Sequence, residues 1–168
     1  MKVVRGITVI EAAVGVAIGG ALLAVAVPAF MRETRASKFV EATSGVSTLG
    51  ARAVAYSEGK PTANAFPESV ALTPHVTPRG EKIVDGPSTW DAPTWRALDF
   101  RASPPGVPHA FAFAFTSNLN SARSVFVAEA HGDLDGDGVV STFEVKGSAE
   151  PGRASVVDRG MYVESELE

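Results

Sequence analysis

Twelve residues near the C-terminus, from Asp133 to Glu144, carry oxygen ligands at the spacing of a calcium-binding loop. In such a loop, positions one, three and five are acidic, and position twelve is a bidentate glutamate. A backbone carbonyl at position seven and an oxygen side chain at position nine complete the ligands. The predicted ligands are Asp133, Asp135, Asp137, Val139 through its carbonyl, Ser141 and Glu144. This set favours Ca²⁺ over Mg²⁺, and we expect the ion to be structural.

The same acidic stretch has a second interpretation that needs no metal. The run from Asp135 to Gly138, Asp-Gly-Asp-Gly, is also typical of a hairpin turn whose acids are solvated. Three aspartates within five residues nevertheless repel one another unless a cation lies between them. Because the loop occurs once and is predicted to join two strands, a helix–loop–helix calcium sensor is not expected.

Glu11 is chemically unusual because it lies at the start of a long apolar stretch. Residues 12–31 carry no charged side chain, and twenty helical residues span about 30 Å, the thickness of a bilayer core. A carboxylate inside a membrane costs about 2.5–3.5 kcal/mol and needs a partner. Pro28 interrupts the same stretch, where it removes a backbone hydrogen bond and kinks a helix. The length favours a membrane span over a removable secretory signal.

Composition excludes several other kinds of site. The chain has no cysteine, so disulfides, thiolate zinc sites and cysteine nucleophiles are absent from it. Its three histidines, His75, His109 and His131, are too far apart for a helical metal motif. No nucleophile elbow or phosphate loop occurs in the sequence, and we do not expect an enzyme. The net charge of −4, without a basic stripe, argues against nucleic-acid binding.

The N-terminus resembles the class III signal of type IV pilins and pseudopilins. A short leader with two basic residues ends in Gly6, and the apolar stretch follows from Ile7. In this family a prepilin peptidase cuts after the glycine, and the new terminal amine is methylated. The resemblance therefore places the cut between Gly6 and Ile7, which makes Glu11 the fifth mature residue and Pro28 the twenty-second. Ile7 departs from the family pattern, in which phenylalanine or methionine is commoner at this position.

This resemblance implies a major or minor pilin in a type IV pilus-like filament, with a pseudopilin of a type II secretion system as the alternative. A monomeric membrane-anchored calcium-binding or adhesive module is a further alternative, and it needs none of Gly6, Glu11 and Pro28. The implied partners are other pilin subunits, prepilin peptidase and an inner-membrane assembly platform. The chain would lie in the bacterial inner membrane as a single-pass protein, and then in a periplasmic or extracellular filament.

Two further consequences of the resemblance concern charge and stability. In the filament, Glu11 of one subunit would neutralise the terminal amine of its neighbour, so that both charges leave water and lipid together. Pilin heads are often clamped by a disulfide near the C-terminus, and some pseudopilin heads are clamped by calcium. Without cysteine, a bound ion in the acidic loop could replace that clamp.

One long helix over residues 7–58 must carry this N-terminal chemistry, after a leader over 1–6. Its part over 7–31 is the membrane-spanning or filament-core part, and its part over 32–58 is amphipathic. We expect Glu41 and Arg52 on the polar side of the amphipathic part. The predicted apolar side consists of Phe39, Val40, Val46, Leu49, Ala53 and Val54.

Residues 59–168 are predicted to form a globular head. Residues 59–106, called the connection below, are rich in proline and read as a long link with short strands or turns. Trp90 and Trp95, with Leu98 and Phe100, are interpreted as core anchors, and an exposed aromatic patch is the alternative.

The apolar period then changes to two, which predicts strands. The predicted strands cover residues 109–116, 124–130, 142–146 and 160–164. The expected fold is therefore α+β, with a long N-terminal helix packed on a small antiparallel sheet. Such a ladle-like arrangement is also what the pilin resemblance implies.

Overall fold

The computed structural model describes residues 7–165, and it describes the side chains of all of these except residues 32–38. The first elements are helix α1 (Val9–Ser57), a 3₁₀ turn (Thr62–Asn64), strand β1 (Val70–Thr73) and helix α2 (Pro93–Ala97). Five strands follow: β2 (Ala112–Asn118), β3 (Ser124–Gly132), β4 (Ser141–Ala149), β5 (Val156–Val157) and β6 (Tyr162–Glu164). The chain divides after Ser37 into two compact units. A long N-terminal helix and an antiparallel sheet confirm the predicted α+β class.

Helix α1 begins with a reciprocal cap. The Glu11 carboxylate accepts a hydrogen bond from the Thr8 N–H at 2.9 Å, and Thr8 Oγ1 accepts one from the Glu11 N–H at 3.2 Å. This capping box satisfies N–H groups that have no partner within the helix. The helix continues through Pro28 and ends at Ser57. Gly59, with φ of +71°, takes the left-handed conformation that commonly stops a helix.

The sheet is antiparallel throughout, in the order β1-β2-β3-β4-β5, and β6 also pairs with β4. Phe113 lies opposite Ala130, which in turn lies opposite Phe143. Because side chains alternate between the two faces, the odd-numbered phenylalanines of the β2 region share one buried face. The four predicted strands correspond to β2, β3, β4 and β6, and their ends shift by a few residues. Strand β1 lies in the connection, where short strands or turns are predicted, and β5 corresponds to none of the predicted strands.

Residues 39–57 of α1 lie on this aromatic face of the sheet. The ring centroids of Phe39 and Phe143 are 5.8 Å apart. Gly45 lies so close to Phe113 that an added Cβ would overlap the phenyl ring. The core of the head therefore forms between residues 39–57 of α1 and one face of the sheet, to which β2 and β4 contribute odd-numbered residues and β3 contributes even-numbered ones.

Two predictions about the amphipathic half of α1 are wrong. Val40 is predicted to lie on the apolar side, but it is 65% exposed, and Ala42 is buried instead. Glu41, placed on the polar side, turns towards the sheet, where Oε1 accepts the N–H groups of Ala110 (2.7 Å) and Phe111 (3.0 Å). These two N–H groups precede β2 and need an acceptor. A helical wheel could not reveal them, because the need arises on another segment.

The connection docks on the core through its aromatic residues. Trp90 and Trp95 are buried, with 4% and 1% of their surfaces exposed, which confirms that they are core anchors and excludes the exposed aromatic patch. The indole N–H of Trp95 donates to Thr73 Oγ1 at 3.0 Å and so ties α2 to β1. Leu98 and Phe100 are buried beside them.

Candidate functional site

The predicted processing site lies at the very start of the described chain. Ile7 is 81% exposed and precedes the first helical residue, Val9. Gly6 lies outside the described residues. Ile7, the residue that follows the predicted cut, is therefore exposed and lies outside the helix.

Glu11 is held by the capping box. Besides the Thr8 N–H, its Oε2 accepts the Thr8 hydroxyl at 2.8 Å. The carboxylate therefore lies against the helix N-terminus, where the helix dipole favours a negative charge. The two hydrogen bonds fix one carboxylate oxygen beside the first turn.

The segment Val9–Met31 has the length and composition to cross a membrane or to act as a signal sequence. Pro28 lies within it and is accommodated inside the helix. Beyond the neighbouring turns of the helix's own backbone, no atom of the described residues lies within 4 Å of the position that a Cβ would take on Gly15, Gly19 or Gly20. The large apolar side chains along the segment are exposed: Val9, Ile10, Val14, Val16, Ile18, Leu22, Leu23, Val25, Val27, Phe30 and Met31.

The acidic loop forms the turn between β3 and β4. Asp133, Asp135 and Asp137 each place a carboxylate oxygen within 4.8 Å of the other two. Asp133 is only 1% exposed, and its two oxygens accept the N–H groups of Gly136 (2.7 Å) and Gly138 (3.0 Å). These glycines have φ of +83° and +97°, which other residues adopt at a cost. The turn thus gathers three acids around one point.

A segment of the connection is tied to this turn by backbone hydrogen bonds. The Gly80 N–H donates to the Asp133 carbonyl at 2.7 Å, and the Asp133 N–H donates to the Pro78 carbonyl at 3.1 Å. The guanidinium of Arg79 lies 3.9 Å from Asp133 Oδ2. The first acid of the turn is therefore fixed through both its backbone and its side chain.

The other three predicted ligands lie at the end of the turn and on β4. Val139 is 44% exposed, and the buried Ser141 hydroxyl donates to the Ser165 carbonyl at 2.9 Å. Glu144 lies on the face of β4 opposite the core and pairs with Lys146, at 2.8 Å between Oε1 and Nζ. Hydrogen bonding to Glu144, together with its charge, raises the pKa of Lys146. The structure therefore gathers the three aspartates and gives Ser141 and Glu144 other partners.

Comparison of the chain with protein-family models, with curated proteins and with solved structures gave no match. The structure contains the coarse arrangement that the pilin resemblance implies, which is an N-terminal apolar helix followed by an antiparallel sheet.

Proposed function

We propose that this chain is a structural subunit, a major or minor pilin, of a type IV pilus-like filament. The observation that carries the proposal is the combination of an exposed apolar helix with a capped glutamate at its first turn and a leader ending in Gly6. The proposed mechanism is polymerisation through helix packing, and it gives the chain no catalytic step of its own.

The exposed apolar surface of α1 supports the packing step. Leu22, Val25 and Phe30 are 66%, 73% and 72% exposed, and in lipid such helices associate through close van der Waals packing. Lipid would cover this surface before assembly, and helices of neighbouring subunits would cover it afterwards. Gly15, Gly19 and Gly20 leave room for close approach of a second helix.

Glu11 would select the register in which neighbouring helices pack. Its carboxylate is fixed at the helix N-terminus, and the proposed cut gives Ile7 a positive amine one turn away. A neighbouring subunit, shifted along the filament, would bring its own amine to this carboxylate. An unpaired charge in an apolar core is costly, so the pair selects one register over the others.

The proposed sequence of processing and assembly steps starts with the chain in the bacterial inner membrane. Prepilin peptidase would cut after Gly6, an assembly platform would extract the mature chain, and the chain would join a periplasmic or extracellular filament. A pseudopilin of a type II secretion system shares every one of these steps. A monomeric anchored module shares only the membrane segment, and it would remain unprocessed and unpolymerised.

We propose that the acidic turn holds a structural Ca²⁺. The three aspartate oxygens within 4.8 Å fit a hard cation that prefers oxygen ligands. In a chain without cysteine, such an ion would hold the β3–β4 turn and, through Asp133, the segment at Pro78 and Gly80. An affinity of about 10⁻⁴–10⁻³ M would suffice outside the cell.

Cysteine cross-linking in cells tests the filament proposal directly, because the chain has no native cysteine. The double substitution Val16→Cys/Val25→Cys places two thiols on the exposed helix of each chain, so that one chain can be linked to two neighbours. A membrane-permeable bis-maleimide should then give a ladder of covalent multimers. The same cysteines combined with Glu11→Ala should give mainly monomers, although the protein remains in the membrane.

The Gly6→Leu variant is the matched control, because it keeps the helix and Glu11 but should block the cut that creates the amine. It should also abolish the ladder. An undiminished ladder in both backgrounds would contradict assembly through the amine–glutamate pair. Monomers alone in the otherwise unchanged chain would contradict the filament.

A further inference from the structure

The side chain of Arg79 lies beside the buried acid of the β3–β4 turn. Arg79 and Asp133 form an isolated parallel bridge, in which the Gly80 N–H donates to the Asp133 carbonyl at 2.7 Å and the Asp133 N–H donates to the Pro78 carbonyl at 3.1 Å. The Arg79 side chain is 68% exposed, whereas that of Asp133 is fully buried. The backbone on both sides of Arg79 therefore holds a cation at the first acid of the turn.

Gly80 brings this segment of the connection into contact with the turn itself. It takes a left-handed conformation, with φ of +65°, and a Cβ placed on it would lie 3.6 Å from backbone atoms of Asp135 and Gly136. The two backbones thus pack at van der Waals distance. Because these contacts do not involve the Arg79 side chain, its replacement should change the charge at the turn and leave the shape of the turn in place.

The charge of Arg79 opposes the repulsion among the three aspartates. Asp133, Asp135 and Asp137 each place a carboxylate oxygen within 4.8 Å of the other two, and like charges at this spacing repel one another. Arg79 Nε lies 3.9 Å from Asp133 Oδ2, which is beyond hydrogen-bond distance. The guanidinium therefore acts on the turn through its positive charge, and not as a hydrogen-bond donor to this oxygen.

We propose that Arg79 is a counter-cation that partly neutralises the metal-free turn and thereby lowers its affinity for Ca²⁺. The inference rests on the Ca²⁺ site proposed above, and it holds whether or not the chain forms filaments. A Ca²⁺ ion at about 2.3–2.6 Å from Asp133 Oδ2 would lie within about 6.5 Å of Arg79 Nε, where the two positive groups repel. Because this coupling is reciprocal, bound Ca²⁺ weakens the Arg79–Asp133 pair by the factor by which Arg79 weakens Ca²⁺ binding.

Ca²⁺ titrations of the full chain in detergent micelles test this role. The rise of the unfolding midpoint with Ca²⁺ concentration gives the dissociation constant. Arg79→Gln should bind Ca²⁺ about three- to tenfold more tightly than the unchanged chain at low salt, and the difference should shrink in about 0.5 M KCl, because salt screens exposed charges. In EDTA the variant should be no more stable than the unchanged chain, since it has lost a counter-cation.

Two matched variants separate the charge at this position from other effects of substitution. Arg79→Lys keeps the positive charge. Arg153→Gln removes an exposed charge beyond the far end of β4, whose nine residues span about 30 Å. Both variants should keep the dissociation constant of the unchanged chain within about twofold, because a distant exposed charge is screened.

A second measurement follows Arg79 in the unchanged chain labelled with ¹⁵N-arginine. Its Nε–H signal, identified by its absence from the Arg79→Lys spectrum, should shift with Ca²⁺ at the dissociation constant found by melting. If the melts respond to Ca²⁺ but this signal does not, or if Arg79→Gln and the unchanged chain bind Ca²⁺ equally well, the role of Arg79 is overturned and the Ca²⁺ site stands. Absence of Ca²⁺ binding in all of these chains would overturn both.

Discussion

Asp133, Asp135 and Asp137 balance two opposing effects at one turn. Their backbone hydrogen bonds stabilise the turn, since the oxygens of Asp133 accept two N–H groups and Asp135 and Asp137 each accept one. Their charges oppose it, because three carboxylates lie within 4.8 Å of one another. A divalent cation would cancel the repulsion and leave the hydrogen bonds intact.

Replacement of one acid by its amide separates these two effects. In Asp135→Asn the amide oxygen can still accept the Asp137 N–H, while one negative charge is lost. Without metal, the variant should be as stable as the unchanged chain or more stable. At a Ca²⁺ concentration about 100 times its dissociation constant, the unchanged chain should gain about 2.7 kcal/mol, and the variant should gain much less.

Thermal melts of the full chain in detergent, with EDTA or with Ca²⁺, measure this difference. Asp158→Asn, an exposed acid outside the turn, is the control and should keep the full response to Ca²⁺. If the unchanged chain melts at the same temperature in EDTA and in Ca²⁺, the turn is a plain hairpin with solvated acids.

At the scale of elements, the packing of α1 on the sheet depends on Gly45, which has no side chain. Gly45 costs helix stability, because glycine is about 1 kcal/mol less favourable than alanine inside a helix. Its lack of a Cβ lets the helix backbone approach the Phe113 ring. Close packing of the aromatic face therefore outweighs local helix propensity at this position.

Alanine substitution at two helix glycines tests this balance. Gly45→Ala should destabilise the head by about 1–3 kcal/mol, since its Cβ would overlap the ring, although alanine favours a helix. Gly50→Ala is the matched control, because its Cβ would meet a Val157 methyl at 3.3 Å and a Val145 methyl at 3.4 Å without overlap, and its change should stay within about 1 kcal/mol. Thermal unfolding of the full chain measures both, and equal stability of Gly45→Ala and the unchanged chain would refute the proposed contact.

The elements differ in how well the sequence predicts them. The long helix and strands β2, β3 and β4 follow from sustained periods of 3.6 and two, which few other structures produce. Strand β5, with two residues, and helix α2, with five, are too short to show a period. Their positions depend on contacts with distant residues, such as the bond from Trp95 to Thr73.

The candidate sites also differ in how well the sequence predicts them. Spacing along the chain predicts the gathering of the three aspartates, because the turn is local. It could not predict that Glu41 would satisfy two N–H groups ahead of β2, or that Arg79 would meet Asp133, since these pairs are 69, 70 and 54 residues apart. Side chains that pair across such separations are placed by the tertiary fold, and a single sequence carries no periodic signal for them.

At the scale of the whole molecule, the proposed function divides the chain into parts with different tasks. The leader would be removed, the apolar part of α1 would change its surroundings from lipid to neighbouring helices, and the head would stay folded throughout. The head has its own aromatic core between α1 and the sheet. This division predicts that the state of the N-terminus, and not the head, decides whether the chain assembles.

The most direct test of the filament account is an intact-mass and N-terminal analysis of the protein from its native membrane. We predict a chain that starts at Ile7 with a methylated amine, and a Gly6→Leu variant that keeps all six leader residues. A chain that still starts at Met1, in cells with an active prepilin peptidase, would contradict processing and assembly, and would leave a single-span anchored protein.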